Sequence, residues 1–287
     1  MIDTFRTTFE TKSSLSISHT SKLLFLGSCF TKNISDKACY FGLDAYHPFG
    51  AIYNPASILK CLNILKYYKI VTNADLVHEK GLFCNYNFHS SYSGVTEKEA
   101  LDNMNREIES GHNFFNNATH IIVTFGTAFA YSLKSSGEIV ANCHHTDASA
   151  FSRRRLSIDE IAADYGAFVK EHPDKQFIFT VSPIRYKKDT FHGSRLSKAV
   201  LLLAIEKICS ENRNCSYFPS YEIMEDDLRD YRFYASDMLH PSDVAVDYIW
   251  EHFSNAYFSD ETKLKCKEVE KKRLEENHIP RFFKNEK

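Results

Sequence analysis

The chain has 287 residues, 43% of them hydrophobic, and sets 35 Lys and Arg against 37 Asp and Glu, for a formal charge of −2. That length and apolar content can bury a full core, and one large domain is the expected solution. The near-neutral balance gives no electrostatic reason for a nucleic acid or an anionic membrane as partner, and neither is predicted.

Taken in chain order, the first clear element is an apolar run, Lys22 to Leu26, that breaks at Gly27 and delivers Ser28 and Cys29 side by side. A strand ending in Gly-Ser-Cys puts two nucleophile types at the carboxyl edge of a sheet, where open α/β folds hold ligands. Between Pro55 and Asn117 the pattern is mixed. Ile58 to Tyr68 and Glu97 to Ser110 read as helices around strand-like residues Gly81 to His89, and the whole stretch as a cap or side wall. His120 to Phe125, Gln176 to Val181 and Cys215 to Phe218 are short β-branched and aromatic runs bounded by polar or turn residues, so they read as buried strands. The triplet Arg153-Arg154-Arg155 reads as a solvated turn before a helix from Ser157 to Val169, with one arginine buried in an ion pair; holding an anionic substrate group is the alternative. A further helix covers Arg195 to Ser210, with Leu196, Ala199, Val200, Leu203 and Ala204 as its apolar face. Ser242 is the expected cap of a helix carrying Val244, Ala245, Tyr248, Ile249, Trp250 and Phe253, which places His240 in the turn before it.

Strands alternating with helices imply a mostly parallel sheet covered on both faces. Residues 1–259 read as one α/β domain, with 55–117 as the cap, and residues 260–287 as a charged terminal helix or tail. The eight cysteines include no C-x-x-C pair and no zinc-finger spacing. They read as reduced thiols, and no metal or organic cofactor is expected. Met1 to Arg6 lacks an apolar core of secretory length and no segment approaches 18 uninterrupted apolar residues, so a cytoplasmic protein is expected.

More than 200 residues after the Gly-Ser-Cys break, Asp237-Met238-Leu239-His240-Pro241 supplies an acid and an imidazole three residues apart. A carboxylate on one ring nitrogen leaves the other to face a nucleophile, and the order here is nucleophile, Asp, His. The plainer readings are a small buried Cys29, a helix-capping Ser28, and Asp237 closing an ordinary turn. Cys143-His144-His145 offers metal-type side chains, but neighbours in an extended segment point to opposite faces and no second cluster accompanies them. His144 is instead a candidate pocket residue.

With these residues in view, the chain resembles the GSCFA family, distant relatives of the SGNH (GDSL-like) hydrolases. The resemblance rests on Gly27-Ser28-Cys29-Phe30, His47-Pro48-Phe49-Gly50 with Asn54-Pro55, Thr124-Phe125-Gly126-Thr127, Asn142-Cys143-His144, Arg153-Arg154-Arg155-Leu156-Ser157, Val181-Ser182-Pro183 and Asp237-Met238-Leu239-His240-Pro241. It implies a three-layer α/β/α sandwich, flavodoxin-like, with a mostly parallel central sheet. It also implies an acyl-ester hydrolase working through an acyl-enzyme, with His240 as general base and Asp237 fixing its tautomer. A small-molecule or carbohydrate ester is the implied substrate. Acyl transfer by the same residues is an alternative, and so is a binding module that has lost catalysis. Laying the SGNH Gly-Asp-Ser block on Gly27-Ser28-Cys29 puts Cys29 at the nucleophile position by register, whereas residue type favours Ser28. For the oxyanion, the resemblance points to the Cys29 N–H and to Gly50. The SGNH Gly-x-Asn block reads Gly126-Thr127-Ala128 here, so Thr127 and Asn54 become candidates for the missing donor. The sequence does not reveal the oligomeric state.

Overall fold

The computed structural model describes residues 10–276. Its centre is a five-stranded parallel sheet of β1 (Lys22–Gly27), β2 (Asp44–Tyr46), β5 (His120–Phe125), β9 (Gln176–Val181) and β10 (Cys215–Phe218), in the order β10-β9-β5-β1-β2. The four longer strands coincide with the four apolar runs of the sequence. They carry no alternation because both faces are covered. On one face Leu23 and Phe25 of β1, with Ile122, Ile178 and Phe218, pack against Phe30 and Ile34 of α1 (Cys29–Tyr40) and Ile249, Trp250 and Phe253 of α7 (Asp243–Tyr257). On the other, Leu24, Leu26, Val123, Phe177 and Phe179 pack against α2 (Pro55–Tyr67), α3 (Glu97–Asn117), α4 (Ile158–Lys170) and α5 (Thr190–Glu211). The fold is a three-layer α/β/α sandwich.

Residues 55–117 therefore supply two core-packed helices, α2 and α3, joined through the hairpin β3 (Val77–Glu79) and β4 (Leu82–Cys84). A second small sheet, β6 (Phe129–Leu133), β7 (Ile139–Val140) and β8 (Phe151–Arg155), follows β5. The arginine triplet is thus a strand and not a turn, pairing Phe129 with Arg155 and Tyr131 with Arg153. Its residues after Phe151 are all exposed, which gives them the polar composition of a loop. The arginine expected in an ion pair is Arg153, which pairs with Asp189, whose side chain is 1% exposed.

Helix α5 starts five residues earlier than its apolar pattern suggested and buries a different stripe. Ser197, Lys198, Leu201, Ala204, Ile205 and Ile208 face the core, while Leu196, Ala199 and Leu203 are exposed. A lysine on the buried face disguises that stripe in the sequence. A short turn α6 (Ser220–Glu222) runs into a π-helical stretch, Ile223–Leu228, and α8 (Asp260–Glu276) closes the described chain. Helix α8 is mostly solvated but is held by buried Cys266 and by Thr262, whose hydroxyl donates to the Ile17 carbonyl at 3.1 Å. Among the described residues no helix is long and apolar enough to cross a membrane.

Strand β1 lies between β5 and β2, so the chain leaves the sheet in opposite directions from β1 and from β5, and the crevice at their carboxyl ends is open. Gly27 makes the turn there. At φ +147° its missing Cβ would stand 2.3 Å from the Thr124 carbonyl oxygen on β5, so only glycine permits the approach.

Candidate active site

After Gly27 the chain turns directly into α1, with Ser28 at the cap position and Cys29 as the first helical residue. First-turn N–H groups have no intrahelical acceptor, and those of Cys29 and Phe30 face the Cys29 sulfur. Opposite stands the turn from Ala235 to Pro241. Asp237 Oδ1 accepts the main-chain N–H of Leu239 (2.9 Å) and of His240 (3.0 Å), and Met238 takes the left-handed conformation at φ 60°. The Ala235 N–H donates to the His240 carbonyl at 2.7 Å, and the Arg185 N–H donates to that of Leu239 at 3.1 Å. Behind the turn, the Ser242 hydroxyl accepts the Ala245 N–H at 3.3 Å and caps α7.

This framework sets three side chains in line. Asp237 Oδ2 lies 2.5 Å from His240 Nδ1, and His240 Nε2 lies 3.3 Å from Cys29 Sγ. With the carboxylate ionised, Nδ1–H donates to Asp237, so Nε2 is the lone-pair nitrogen and accepts the Cys29 S–H. The main-chain N–H groups of His240 and Leu239, then the His240 ring, hold the Asp237 carboxyl down to about 2. It therefore stays ionised across the neutral range. Burial pushes the Cys29 thiol above its ordinary value, and the Asp237 charge adds to the rise. The Cys29 and Phe30 N–H groups and the Tyr53 phenol act the other way. The resting sulfur is therefore a thiol. Imidazole and carboxylate are 46% and 44% exposed, so both are open to solvent.

The GSCFA family model matches residues 22–253, a span that contains every residue of this line. The chain belongs to the GSCFA family. Among solved structures it is similar to an acetyl xylan esterase (Est2A) from the rumen bacterium Butyrivibrio proteoclasticus, at 12% identity and a TM-score of 0.42 over 83% of this chain. The chain spans 64% of that protein's length. No curated protein matches it.

The remaining sequence candidates of this GSCFA protein fall in three places. Ser28 is 1% exposed, and its hydroxyl donates to Ser182 Oγ at 3.0 Å, so it ties the end of β1 to the end of β9. Asn54, Thr127 and the Gly50 loop border a cleft of about 300 Å³ beside the sulfur, whose walls include Tyr53, Tyr131, Asn142 and Tyr186. Asn54 caps α2: its Oδ1 accepts the Ser57 N–H at 2.9 Å and its Nδ2 donates to Ser57 Oγ at 3.0 Å. The Thr127 hydroxyl accepts the Phe129 N–H at 3.1 Å and lies 3.1 Å from Ser197 Oγ. Both side chains thus hold loops in place, and neither makes a hydrogen bond to the triad. Gly50 has φ 74° with a Cβ position 2.6 Å from that of His89, and two residues on the Ile52 N–H donates to the Gly27 carbonyl at 2.7 Å. His144 is placed apart, in a separate hollow with Glu79 and His145, where its Nε2 meets the Asn85 carbonyl at 2.8 Å.

Two further residues at the site, Tyr53 and Lys198, are given no role by the sequence, and Ser182 is marked only as part of the Val181-Ser182-Pro183 motif. Tyr53 stands against the Cys29 sulfur, and burial followed by that neighbour pushes its phenol up to about 12, so it remains a donor. Ser182 receives the Ser28 hydroxyl. Lys198 is 3% exposed, and its Nζ donates to the carbonyls of Gly126 (2.9 Å) and Ser182 (2.7 Å), clamping the ends of β5 and β9. Burial lowers its pKa to about 7. A charged residue three positions before Leu201 on an apolar stripe is the signal that points to it.

Proposed function

We propose that the protein is a hydrolase that cleaves an acyl ester through a covalent intermediate on Cys29. The observation that carries this reading is the unbroken line Cys29 Sγ, His240 Nε2, His240 Nδ1, Asp237 Oδ2. In the first half-reaction Nε2 takes the thiol proton as the sulfur attacks the ester carbonyl carbon. Asp237 stabilises the imidazolium that forms. Negative charge gathers on the carbonyl oxygen, where the Cys29 N–H is the nearest donor and the Gly50 loop, running beside Gly27, supplies the second. Collapse breaks the C–O bond, and the alcohol leaves with the proton from Nε2. In the second half, water gives a proton to Nε2, its oxygen attacks the thioester carbon, and the acid departs as the sulfur regains its proton.

Two features support Cys29 over Ser28 as the nucleophile. The Cys29 sulfur is partly exposed at the imidazole, whereas the Ser28 hydroxyl is buried and committed to Ser182. The test is release of p-nitrophenol from p-nitrophenyl acetate and butyrate. The wild-type protein is expected to turn both over, with turnover abolished in Cys29→Ala and reduced at least 10³-fold in His240→Ala. Equal rates in wild type and Cys29→Ala would overturn the assignment.

A further inference from the structure

A second cavity, of about 210 Å³, opens on the far side of the His240 turn. Its walls include Ile184, Phe191, Tyr231, Met238 and Leu239, so the last two residues before His240 belong both to the catalytic turn and to this cavity. Tyr186 lines this cavity and the cleft next to Tyr53 alike, and forms the ridge between them. The two ends of the catalytic line reach the two spaces: Asp237 lines this cavity, and Tyr53, against the Cys29 sulfur, lines the cleft. A substrate whose carbonyl rests at Cys29 can extend either way.

The charges of the cavity do not cancel. Around it stand three cationic side chains, Arg185, Lys187 and Arg195, the buried Lys198, and two carboxylates, Glu225 and Asp237. Both carboxylates are engaged: Glu225 pairs with Arg195 and accepts the Tyr234 hydroxyl at 3.0 Å, and Asp237 holds His240. Lys198 is spent on two carbonyls. Arg185 and Lys187 remain, and neither has an ion pair among the described residues. Arg185 is framed by aromatic rings, 4.8 Å from the centroid of Tyr234, 4.9 Å from Tyr231 and 5.9 Å from Phe191. Two of these rings are unusually open, Phe191 at 76% and Tyr231 at 58% exposure. Arg185 also hydrogen-bonds the Tyr231 side chain and feels the Glu225 carboxylate, which is itself paired with Arg195. Flat aromatic walls around a guanidinium without an ion pair of its own suit a ligand with a flat apolar body and one anionic group, to which the guanidinium donates charge-assisted hydrogen bonds.

We propose that this cavity binds the part of the substrate lying on the His240 side, and that this part carries a carboxylate or a phosphate on an apolar, ring-like body. Arg185 is the specificity-determining residue and Lys187 adds charge at the rim. The assignment to a substrate half rests on the ester-hydrolase reading; the binding itself does not.

Isothermal titration calorimetry on the full-length Cys29→Ala protein separates the two. Benzoate and phenyl phosphate serve as the anionic probes, which distinguishes carboxylate from phosphate, and benzyl alcohol and inorganic phosphate as controls lacking the charge or the ring. At least one anionic probe should bind tenfold or more tighter than either control. Arg185→Met should weaken it roughly tenfold to hundredfold, with Arg185→Lys between, since a point charge replaces the fork. Lys187→Met, on an exposed side chain, should weaken it by a smaller factor and serves as the second variant should Arg185→Met fold poorly. Equal binding of benzyl alcohol, no effect of either substitution, or no binding by the anionic probes would overturn the proposal. Anion binding without any ester hydrolysis by the wild type would overturn the hydrolase reading and leave this site standing.

Discussion

Lys198 offers a quantitative test of how the two strand ends beneath the site are held. The folded protein buries its ammonium, with two carbonyl oxygens as hydrogen-bond partners; burial outweighs the opposing pull of Glu225, and its pKa falls from 10.5 to about 7. The unfolded chain has no such constraint, so between these values it binds the proton that the folded chain releases. Stability therefore rises with pH in this window: the cost of burying the charge is full below pH 7 and is relieved toward pH 10.5. From pH 7 to 8.5 the gain from this one group is about 1.5 kcal/mol, or roughly 3 °C in Tm for a chain of this size. Buried thiols oppose it, because burial raises Cys61, Cys84, Cys209 and Cys215, and unfolded thiols ionise first as the pH climbs. Comparison with Lys198→Met cancels that common background. Thermal melts at pH 7.0, 7.5, 8.0 and 8.5 should show the wild-type Tm rising relative to the variant by about 3 °C over the range. Parallel curves would show that Lys198 keeps its proton throughout, and the reasoning from burial would fail.

Other outcomes follow from the same geometry. Asp237→Asn leaves a side chain of the same shape but favours the wrong imidazole tautomer, and ester turnover should fall about 10³-fold to 10⁴-fold, measured as kcat at saturating p-nitrophenyl ester. Ser28→Ala should retain turnover within about threefold while losing about 1 kcal/mol in urea unfolding, because it removes one buried hydrogen bond and nothing at the imidazole. Gly27→Ala must place a methyl group 2.3 Å from a main-chain oxygen on β5. It should cost about 3 kcal/mol or more in the same assay, and an unchanged midpoint would mean that β1 and β5 separate more easily than their register implies.

The parts of the fold visible in the sequence are those whose burial is complete. Strands β1, β5, β9 and β10 are covered on both faces, so their residues form continuous apolar runs that stand out without any neighbour in view. Strands β2 and β8 do not. Asp44–Tyr46 is a three-residue edge, and Phe151–Arg155 exposes Ser152 and all three arginines, so its identity comes only from pairing with β6. Helix α5 shows how one residue hides a pattern: a buried lysine breaks the apolar stripe and shifts the apparent face onto Leu196 and Leu203, which are 40% and 55% exposed.

The candidate site divides the same way. Cys29, Asp237 and His240 sit in two short local patterns, a strand break and an Asx-type turn, and their chemistry is legible from residue type and order. Tyr53, Ser182 and Lys198 reach the site through β5, β9 and α5 packing; the sequence marks Ser182 only as part of a motif and Lys198 only as a charge on an apolar stripe, and neither signal tells what the side chain holds. Asn54 and Thr127 illustrate the converse. Each is a polar residue in the right block, but the Asn54 side chain caps α2 and the Thr127 hydroxyl holds the start of β6.

The most direct test of the Cys29–His240 line is intact-protein mass spectrometry after brief exposure to a thiol-directed acylating probe, with peptide mapping of the adduct, on wild type, Cys29→Ala, Ser28→Ala and His240→Ala. A single acyl group on Cys29 is expected in wild type and Ser28→Ala, absent in Cys29→Ala and strongly slowed in His240→Ala. Labelling on Ser28, or labelling spread over the other cysteines at a rate indifferent to His240, would contradict the acyl-enzyme mechanism.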